Sequence, residues 1–382
     1  PSSNNYGGGV VAFDRTFHGG SLRWLQPVGE VDLVFGLDYD QSEDDRQGYQ
    51  NFVGDTLGVK GALRRDEKDT ATSLDPYAQA TWKVGNWTLQ GGLRYSTVEI
   101  DVDDHYRVNG DDSGNRRYEQ ASPSVSLGYA FTPELNGYLS VGRGFETPTQ
   151  GELAYAPSST PGVNYNLDPS TSTQYELGLK ALLGQGTRVN AAIFQINTED
   201  EIVVFANTAG RTSYQNAGKT LRRGFELGVE SQLSEQWSAN FAYTYLAAQY
   251  DSSFVSGTGS AARTIDSGNN LPGVPRTTLF TELVWQPTNG ISTAVEGLYR
   301  SKVYVEDSNS ARPAPAYSVF NWRARFEQQY GAWTVHQLLR LDNVLDRQYV
   351  GSVIVGDGNS RYYEAAPGRS WYAGAGVSYQ FD

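Results

Sequence analysis

Apolar and polar residues alternate over several long stretches of the chain. From Trp87 to Tyr95, every second position is apolar or small, and the positions between them are polar or glycine. Nearly the same split recurs from Trp237 to Tyr245. Because successive side chains of a strand point to opposite faces, the pattern predicts strands with one apolar face and one wet face.

Short polar turns interrupt this alternation about every fifty residues, and a long polar segment lies between successive turns. Tight turns at one rim and long loops at the other are typical of an outer-membrane β-barrel. The predicted fold class is therefore all-β, a transmembrane antiparallel β-barrel. The turns are PVGE (27–30), VGN (84–86), TPEL (132–135), GQG (184–186), SEQ (234–236), PTNG (287–290) and YGA (330–332).

Four tryptophans distinguish the barrel from a soluble β-sandwich, whose strands also alternate. Trp87, Trp237, Trp333 and Trp371 are all expected to lie just after a short turn, at the ends of apolar rows. Aromatic residues at such positions form the girdle that meets lipid headgroups in membrane barrels. The pattern therefore favours a wall embedded in lipid.

Composition narrows the class of protein further. The 382 residues include 42 Gly, 25 Tyr and 8 Trp, and no apolar run reaches the roughly 18 residues of a membrane-spanning helix. A net charge of −13 argues against nucleic acid as a partner, since that partner requires a clustered basic face. The absence of Cys suits a chain that crosses an oxidising periplasm unfolded.

Acidic residues are concentrated in the long segments, at 42–45, 101–106 and 111–112. Close carboxylates can bind divalent cations, but no spacing here matches a calcium loop, and solvated loop charge is the competing interpretation. The three histidines, His18, His105 and His336, are scattered, and neither Cys nor Met is present. This pattern makes a weak case for a metal or haem site, so no metal ligand and no cofactor are predicted.

The turn rhythm gives a strand count of fifteen, or sixteen if residues 8–13 pair separately. Bacterial single-chain barrels have even strand numbers and place both termini at the periplasmic rim. With fifteen strands, the segment would begin at the loop side and would need further strands upstream to close. The chain also lacks an initiating Met and a signal peptide, so it is expected to be part of a longer precursor.

Six blocks of sequence, in order, resemble the barrel of TonB-dependent outer-membrane receptors, and together they extend over most of the chain. The resemblance implies the C-terminal portion, residues 1–382, of a 22-stranded barrel in the outer membrane of a Gram-negative bacterium. It is nearest to receptors for ferric siderophores and related metal chelates. The blocks are SPSVSLGYAFTPELNGYLSVGRGFETPTQGEL (122–153), LDPSTSTQYELGLK (167–180), YQNAGKTLRRGFELGVE (214–230), NNLPGVPRTTLF (269–280), DNVLDRQYVGSV (342–353) and PGRSWYAGAGVSYQF (367–381).

The resemblance also implies partners. Such receptors contain an N-terminal plug whose periplasmic segment, the TonB box, is read by TonB, and neither plug nor segment is visible in this sequence. TonB, an extracellular metal chelate, outer-membrane lipid and lipopolysaccharide are the expected partners. The energy-coupling residues therefore cannot be named from this chain.

Arg and Tyr residues in the loops and at the strand tops are the candidate ligand-binding residues. Guanidinium groups would hold an anionic chelate, and aromatic faces would pack on its organic shell. The alternative is that Tyr belongs to an upper girdle and Arg binds lipopolysaccharide phosphate. The candidates are Arg116, Arg117, Tyr118, Arg211, Tyr214, Arg300, Tyr304, Arg361, Tyr362 and Tyr363, with Arg211 and Tyr214 preferred.

The expected function is active uptake of a metal chelate, with a ferric siderophore as the first candidate. A passive porin and a structural or adhesive surface barrel are the alternatives. Enzymatic activity is not expected, because the chain has no G-x-S-x-G turn and its close glycines at GRGFETPTQG open no helix. No catalytic residue is therefore predicted.

Overall fold

The computed structural model describes residues 9–157, 162–184, 186–208 and 211–381, except the side chains of Thr208 and Arg211. Among them, fifteen antiparallel strands form one sheet, and each strand pairs with the next of the fifteen along the chain. The strands of the sheet are β1 (Val10–Val28), β2 (Val31–Tyr49), β5 (Leu63–Val84), β6 (Trp87–Asp104), β7 (Gly114–Thr132), β8 (Leu135–Glu146), β9 (Ser170–Leu183), β10 (Thr187–Glu199), β13 (Lys219–Gln232), β14 (Trp237–Tyr250), β17 (Thr277–Thr288), β18 (Ile291–Arg300), β19 (Tyr317–Tyr330), β20 (Trp333–Asp342) and β23 (Ser370–Tyr379).

The long connections carry small elements of their own. One α-helix, α1 (Gln150–Leu153), follows β8. Four two-stranded hairpins lie in other loops: β3 (Phe52–Val53) with β4 (Thr56–Leu57), β11 (Ile202–Thr208) with β12 (Arg211–Asn216), β15 (Phe254–Ser256) with β16 (Arg263–Ile265), and β21 (Val350–Val353) with β22 (Tyr363–Ala365). No helix among the described residues has the length and apolar character needed to cross a membrane.

The predicted turns are confirmed as the connections at one end of the sheet. For example, β1 turns into β2 around Gly29, and β5 turns into β6 around Gly85. Both glycines have positive φ, 61° and 55°, a conformation that side chains with a Cβ adopt only at a cost. All seven long connections lie at the opposite end, which is called the loop end below.

The two faces of the sheet differ as the alternation predicts. On β6, Trp87, Leu89, Leu93 and Tyr95 are all at least 41% exposed on one face. On the other face, Arg94 forms ion pairs with Asp38 at 2.8 Å and Asp75 at 2.6 Å. An apolar face that stays exposed beside a polar face with paired charges is the inside-out arrangement of a membrane barrel.

The polar face is the concave one, called the inner face below. A recess of about 430 Å³ is lined by side chains from seven consecutive strands of the sheet, β5 to β13, which only a concave surface allows. The total accessible surface is 22459 Å², whereas a compact soluble monomer of this mass exposes about 15,000 Å². The excess is the exposed apolar outer face together with the open inner face.

Charged side chains on the inner face of β17 to β20 form a ladder. Arg323 pairs with Glu282 and Glu296, and Arg340 pairs with Glu296 at 3.0 Å and with Asp342 at 2.7 Å. Glu296 is only 8% exposed. Because a buried charge is costly unless it is paired, the ladder fixes the side chains of four neighbouring strands relative to one another.

Three of the four predicted girdle tryptophans lie at the turn end, and the prediction for Trp371 is wrong. Trp87 packs on Tyr129 at 4.5 Å between ring centroids, and Trp333 packs on Tyr379 at 4.8 Å. Trp371 instead pairs with Leu341 near the loop end. The reason is strand direction: β23 follows the long β20–β23 loop and therefore begins at the loop end.

The strand count is fifteen among the described residues, so the sixteenth strand is not formed. Val10 to Phe13 belong to β1, while Gly8 lies outside the described residues. Strands β1 and β23 are the edges of the sheet, and each pairs with one neighbour only. The described residues thus form a curved wall that is not closed into a barrel.

Candidate ligand-binding face

The loops at the loop end pack into two small apolar cores. The first loop core consists of Ile100, Tyr118, Leu153 and Leu167, all buried. Tyr118 also donates a hydrogen bond from its hydroxyl to the carbonyl of Leu167 at 3.1 Å. Helix α1 contributes Leu153 and begins with a capping box between Thr149 and Glu152, which satisfies its first backbone N–H groups.

The second loop core lies over β13, β14 and the loop before β17. It consists of Val203, Ala217, Ala248, Tyr250, Ile265 and Leu271. The hydroxyl of Tyr250 donates to Asp307 at 2.7 Å, which ties the β18–β19 loop to this core. Burial raises the pKa of Asp307, and the hydrogen bond from Tyr250 only partly opposes that effect.

The β11–β12 hairpin lies between the two cores. Ile202 packs against the first loop core and its neighbour Val203 belongs to the second. Since adjacent strand residues point to opposite faces, the hairpin is clamped from both sides. Asn216 holds the β8–β9 loop through two hydrogen bonds with the backbone of Asp168, at 2.9 and 2.8 Å.

The other hairpin contacts reach two further loops. Gln215 donates to the carbonyl of Val255 at 2.9 Å, and Ser256 donates to the carbonyl of Phe205 at 2.9 Å. A Cβ added to Gly358 would lie 3.1 Å from the carbonyl oxygen of Asn207, so the β20–β23 loop also approaches the hairpin closely. The four loops therefore form one packed layer above the wall.

The first group of predicted ligand residues is divided between two faces. Arg116 pairs with Asp168 at 2.9 Å and lies 5.5 Å from the ring centroid of Tyr118. Arg117 points to the outer side and pairs with Glu119 at 2.7 Å. Tyr118 is 3% exposed inside the first loop core. The structure thus brings Arg116 and Tyr118 together and separates Arg117 from both.

The preferred pair lies in the β11–β12 hairpin. The backbone of Arg211 belongs to β12, and its side chain lies outside the described residues. Tyr214 is half-buried against the first loop core, and Asn164 donates to its carbonyl at 3.1 Å. Burial, and then the charge of Glu152, raise the pKa of Tyr214.

The remaining candidates lie at other positions of the loop end. Arg300 ends β18 on the inner face, and Tyr304 lies four residues beyond it. Arg361 is exposed and lies 3.7 Å from Asp357, and Tyr363 donates to the carbonyl of Arg312. The ring centroids of Tyr362 and Tyr363 are 6.1 Å apart. The ten candidates do not converge on one site, and their ligand role stays a prediction.

Sequence reasoning missed two cations beside Arg300. Arg276 and Lys302 line a recess of about 170 Å³ at the loop end, together with Tyr304. The signal was present in the alternation, because Arg300 and Lys302 are two residues apart and point to one face of an extended chain. The predicted pairs combine Arg with a nearby Tyr, which leaves out Lys302 although Tyr304 is two residues away, and leaves out Arg276, which has no Tyr within four residues.

Two carboxylates in the loops, Glu306 and Asp111, receive hydrogen bonds from their own loops. Burial opposes ionisation of Glu306, but hydrogen bonds from Ser308, Ala311 and Ser310 lower its pKa. Hydrogen bonds from Ser113, followed by Arg107, lower the pKa of Asp111 to about 2. Across the described ranges, no group of three His, Asp or Glu side chains could hold a metal ion.

The family model for the β-barrel of TonB-dependent receptors matches residues 1–344 of the sequence. The chain belongs to this family. The resemblance to the family is thereby confirmed, and four of the six sequence blocks lie within the matched residues, while the blocks at 342–353 and 367–381 lie at or beyond their end. TonB-dependent receptors are transport receptors of the Gram-negative outer membrane rather than enzymes, and their barrels are built from strands of the kind seen here.

Named relatives of this TonB-dependent receptor barrel include two siderophore receptors. The probable siderophore receptor PiuA of Acinetobacter baumannii is 23% identical over 290 residues, covering 74% of this chain and 37% of that protein. The ferrioxamine receptor of Yersinia enterocolitica is 24% identical over 313 residues, covering 80% of this chain and 39% of that protein. The chain thus spans less than half the length of these relatives.

Solved structures show the same fold. The crystal structure of PiuA from Acinetobacter baumannii superposes with a TM-score of 0.78 at 19% identity, covering 96% of this chain and 56% of that one. The copper transporter OprC gives a TM-score of 0.76 at 17% identity, covering 97% of this chain and 57% of that one. Both comparisons show that the fifteen-stranded wall has the fold of a little more than half of each of these proteins.

Proposed function

We propose that this wall belongs to an outer-membrane receptor that takes up a metal chelate in a TonB-dependent manner, with a ferric siderophore as the first candidate. The observation that carries the proposal is a transport-receptor wall topped by loops that pack into one layer over the inner face. The relatives named as siderophore receptors support the choice of ligand.

In the proposed mechanism, the wall and its loops select the ligand and perform no chemistry on it. A ligand arrives from the loop end, where packed loops can hold it without much loss of conformational entropy. Arg116 and Tyr214 lie at that end, and guanidinium charge and aromatic faces suit an anionic chelate with an organic shell. We propose that the wall is the C-terminal portion of a longer receptor, whose plug contacts TonB.

The proton gradient of the inner membrane would supply the energy through TonB. This requirement separates the proposal from a passive porin, which needs no partner, and from an adhesive surface barrel, which moves no ligand. The open recess of the inner face is the observation that favours the porin alternative. Energy dependence is therefore the property to measure.

Uptake of radioactive iron tests the proposal. The complete gene is expressed in Gram-negative cells that lack their own chelate receptors, with and without TonB, and the cells receive ferric catecholate, hydroxamate and citrate chelates. We expect accumulation of at least one chelate that requires both this gene and TonB. Accumulation that persists without TonB would favour the porin, and no accumulation of any metal chelate would contradict the proposal.

A further inference from the structure

Three cations lie at neighbouring positions of the inner face where β17 and β18 meet the loops. Thr278 pairs with Arg300, and the backbone N–H of Ser301 donates to the carbonyl of Thr277 at 2.9 Å. Continuing this register by one residue places Arg276 opposite Lys302. Because residues two apart in an extended chain share a face, both lie on the face of Arg300.

Two like charges that face each other across a strand pair destabilise it unless an anion lies between them. Among the described residues, none of the three cations forms an ion pair. Arg276 donates to the amide oxygen of Asn270 at 2.9 Å, and Lys302 lies 5.1 Å from the ring centroid of Tyr304. The buried Nε of Arg300 has no hydrogen-bond partner within the described part of the chain.

Other cations on the inner face of these strands are paired with carboxylates. Further down the same strands, Glu282 and Glu296 neutralise Arg323, and Glu296 with Asp342 neutralises Arg340. The chain carries a net charge of −13, yet among the described residues no carboxylate forms an ion pair with Arg276 or Lys302. Neighbouring cations without an ion-pair partner favour the approach of an oxyanion from outside.

The recess beside these cations also has an apolar side. Leu246, Ala248 and Val274 line it and belong to, or pack against, the second loop core. Its volume is about 170 Å³, and an apolar cavity of about 150 Å³ is known to hold a benzene ring. One six-membered ring that carries an anionic oxygen would therefore occupy it with its charge toward the cations.

We propose that Arg276, Lys302 and Arg300 form an anion subsite that takes one ring-bearing, negatively charged arm of the ligand. The proposal rests on the proposed function for the identity of that ligand as a metal chelate. It deepens that function by giving the ligand a chemical class, an aromatic or cyclic oxyanion. The proposed charge contact with the ligand therefore lies at the loop ends of β17 and β18, whereas the sequence-based prediction preferred the β11–β12 hairpin.

The experiment uses two probes that differ in charge alone, benzoate and the neutral benzamide. Binding of each to the purified complete receptor in detergent is titrated by saturation-transfer NMR. We expect benzoate to bind more tightly than benzamide, and the double variant R276Q/K302Q to weaken benzoate binding about ten- to a hundredfold. The charge-conserving variant R276K/K302R should keep most of the affinity for benzoate.

Two controls make the outcome decisive. K83Q removes an exposed cation at the turn end of β5 and should leave benzoate binding unchanged. Heat-modifiable electrophoretic mobility reports whether each variant is folded, and R276K/K302R provides the folded comparison should R276Q/K302Q fail to assemble. Equal benzoate binding by wild type and R276Q/K302Q, absence of binding to wild type, or loss of binding in R276K/K302R would overturn the subsite.

The two proposals fail separately. If cells accumulate a chelate and R276Q/K302Q accumulates it as wild type does, the receptor function stands and the subsite is wrong. If cells accumulate no chelate but benzoate binding depends on Arg276 and Lys302, the subsite stands and the metal-chelate function is wrong.

Discussion

At the scale of single residues, Leu93 and Gln90 show how neighbouring positions of one strand face two different solvents. Leu93 is 51% exposed on the outer face, and Gln90 lines the recess of the inner face. An exposed leucine is unremarkable alone, but here it belongs to an apolar row that continues across neighbouring strands. A charge should therefore be tolerated at Gln90 and rejected at Leu93.

Leu93→Arg should impair assembly, at a cost of about 2–4 kcal/mol if the site lies near the bilayer midplane. Gln90→Arg adds the same side chain to the same strand and should assemble normally. The folded, heat-modifiable fraction in outer-membrane preparations measures both. Equal tolerance of the two changes would reverse the assignment of the faces.

At the scale of elements, the β11–β12 hairpin is the part that joins otherwise separate loops. Asn216 bonds the β8–β9 loop, and Gln215, the residue before it, bonds the β14–β17 loop. The hairpin thus holds the two loops through side chains on opposite sides of one strand. A substitution at Asn216 or at Gln215 removes one of these connections and leaves the other in place.

Asn216→Ala should loosen residues 164–168, because it removes both hydrogen bonds to Asp168, each of which contributes about 0.5–1.5 kcal/mol. It also removes the hydrogen bond from Asn216 to the carbonyl of Asp200 at 2.8 Å. Gln215→Ala is the matched variant and should loosen residues 254–256 instead. Hydrogen exchange followed by mass spectrometry measures the exchange rates of residues 164–168 and of residues 254–256 in each variant. Identical exchange patterns in the two variants would show that the hairpin does not hold the loops separately.

The strands and turns could be predicted from the sequence because their signals are local. Alternation around Trp87 sets the faces of β6, and Gly85 sets the turn before it. Trp371 was misplaced because the direction of β23 depends on the length of the loop before it rather than on neighbouring residues. Local sequence therefore predicts which residues form strands better than it predicts at which end of the sheet each strand begins.

The candidate site was harder to predict, since it depends on contacts between distant loops. From its position in the sequence, Tyr118 is expected at the loop end of a strand, where it could contact a ligand. In the structure, Leu153 and Leu167 cover it. Arg276 and Lys302 face each other only through the pairing of β17 with β18. Neither fact has a signature within a short window of sequence.

At the scale of the whole molecule, the loops and the turns lie at opposite ends of one wall. The chain contains no Cys, so a single introduced cysteine can report where its position lies. Asn109 is exposed in the β6–β7 loop, and Asn86 is exposed in the turn between β5 and β6. In a membrane barrel, these two positions belong to opposite sides of the bilayer.

Asn109→Cys in the complete receptor should react with a membrane-impermeant maleimide on intact cells, whereas Asn86→Cys should react only after the outer membrane is permeabilised. The physical reason is that bacterial barrels place long loops outside and short turns in the periplasm. Labelling of Asn86→Cys on intact cells, with Asn109→Cys protected, would invert the proposed orientation.

The order of strands in the sheet follows their order in the chain, and this has a consequence for how the wall forms. Every strand of the sheet pairs with the sheet strand just before or just after it in the chain, so each pairing closes only the single turn or loop between the two strands and costs less chain entropy than the pairing of distant strands. The sheet can grow one hairpin at a time as the polypeptide arrives. A hairpin could be duplicated or deleted in evolution without disturbing the pairing of the others, so the circumference of such walls can change in steps of two strands.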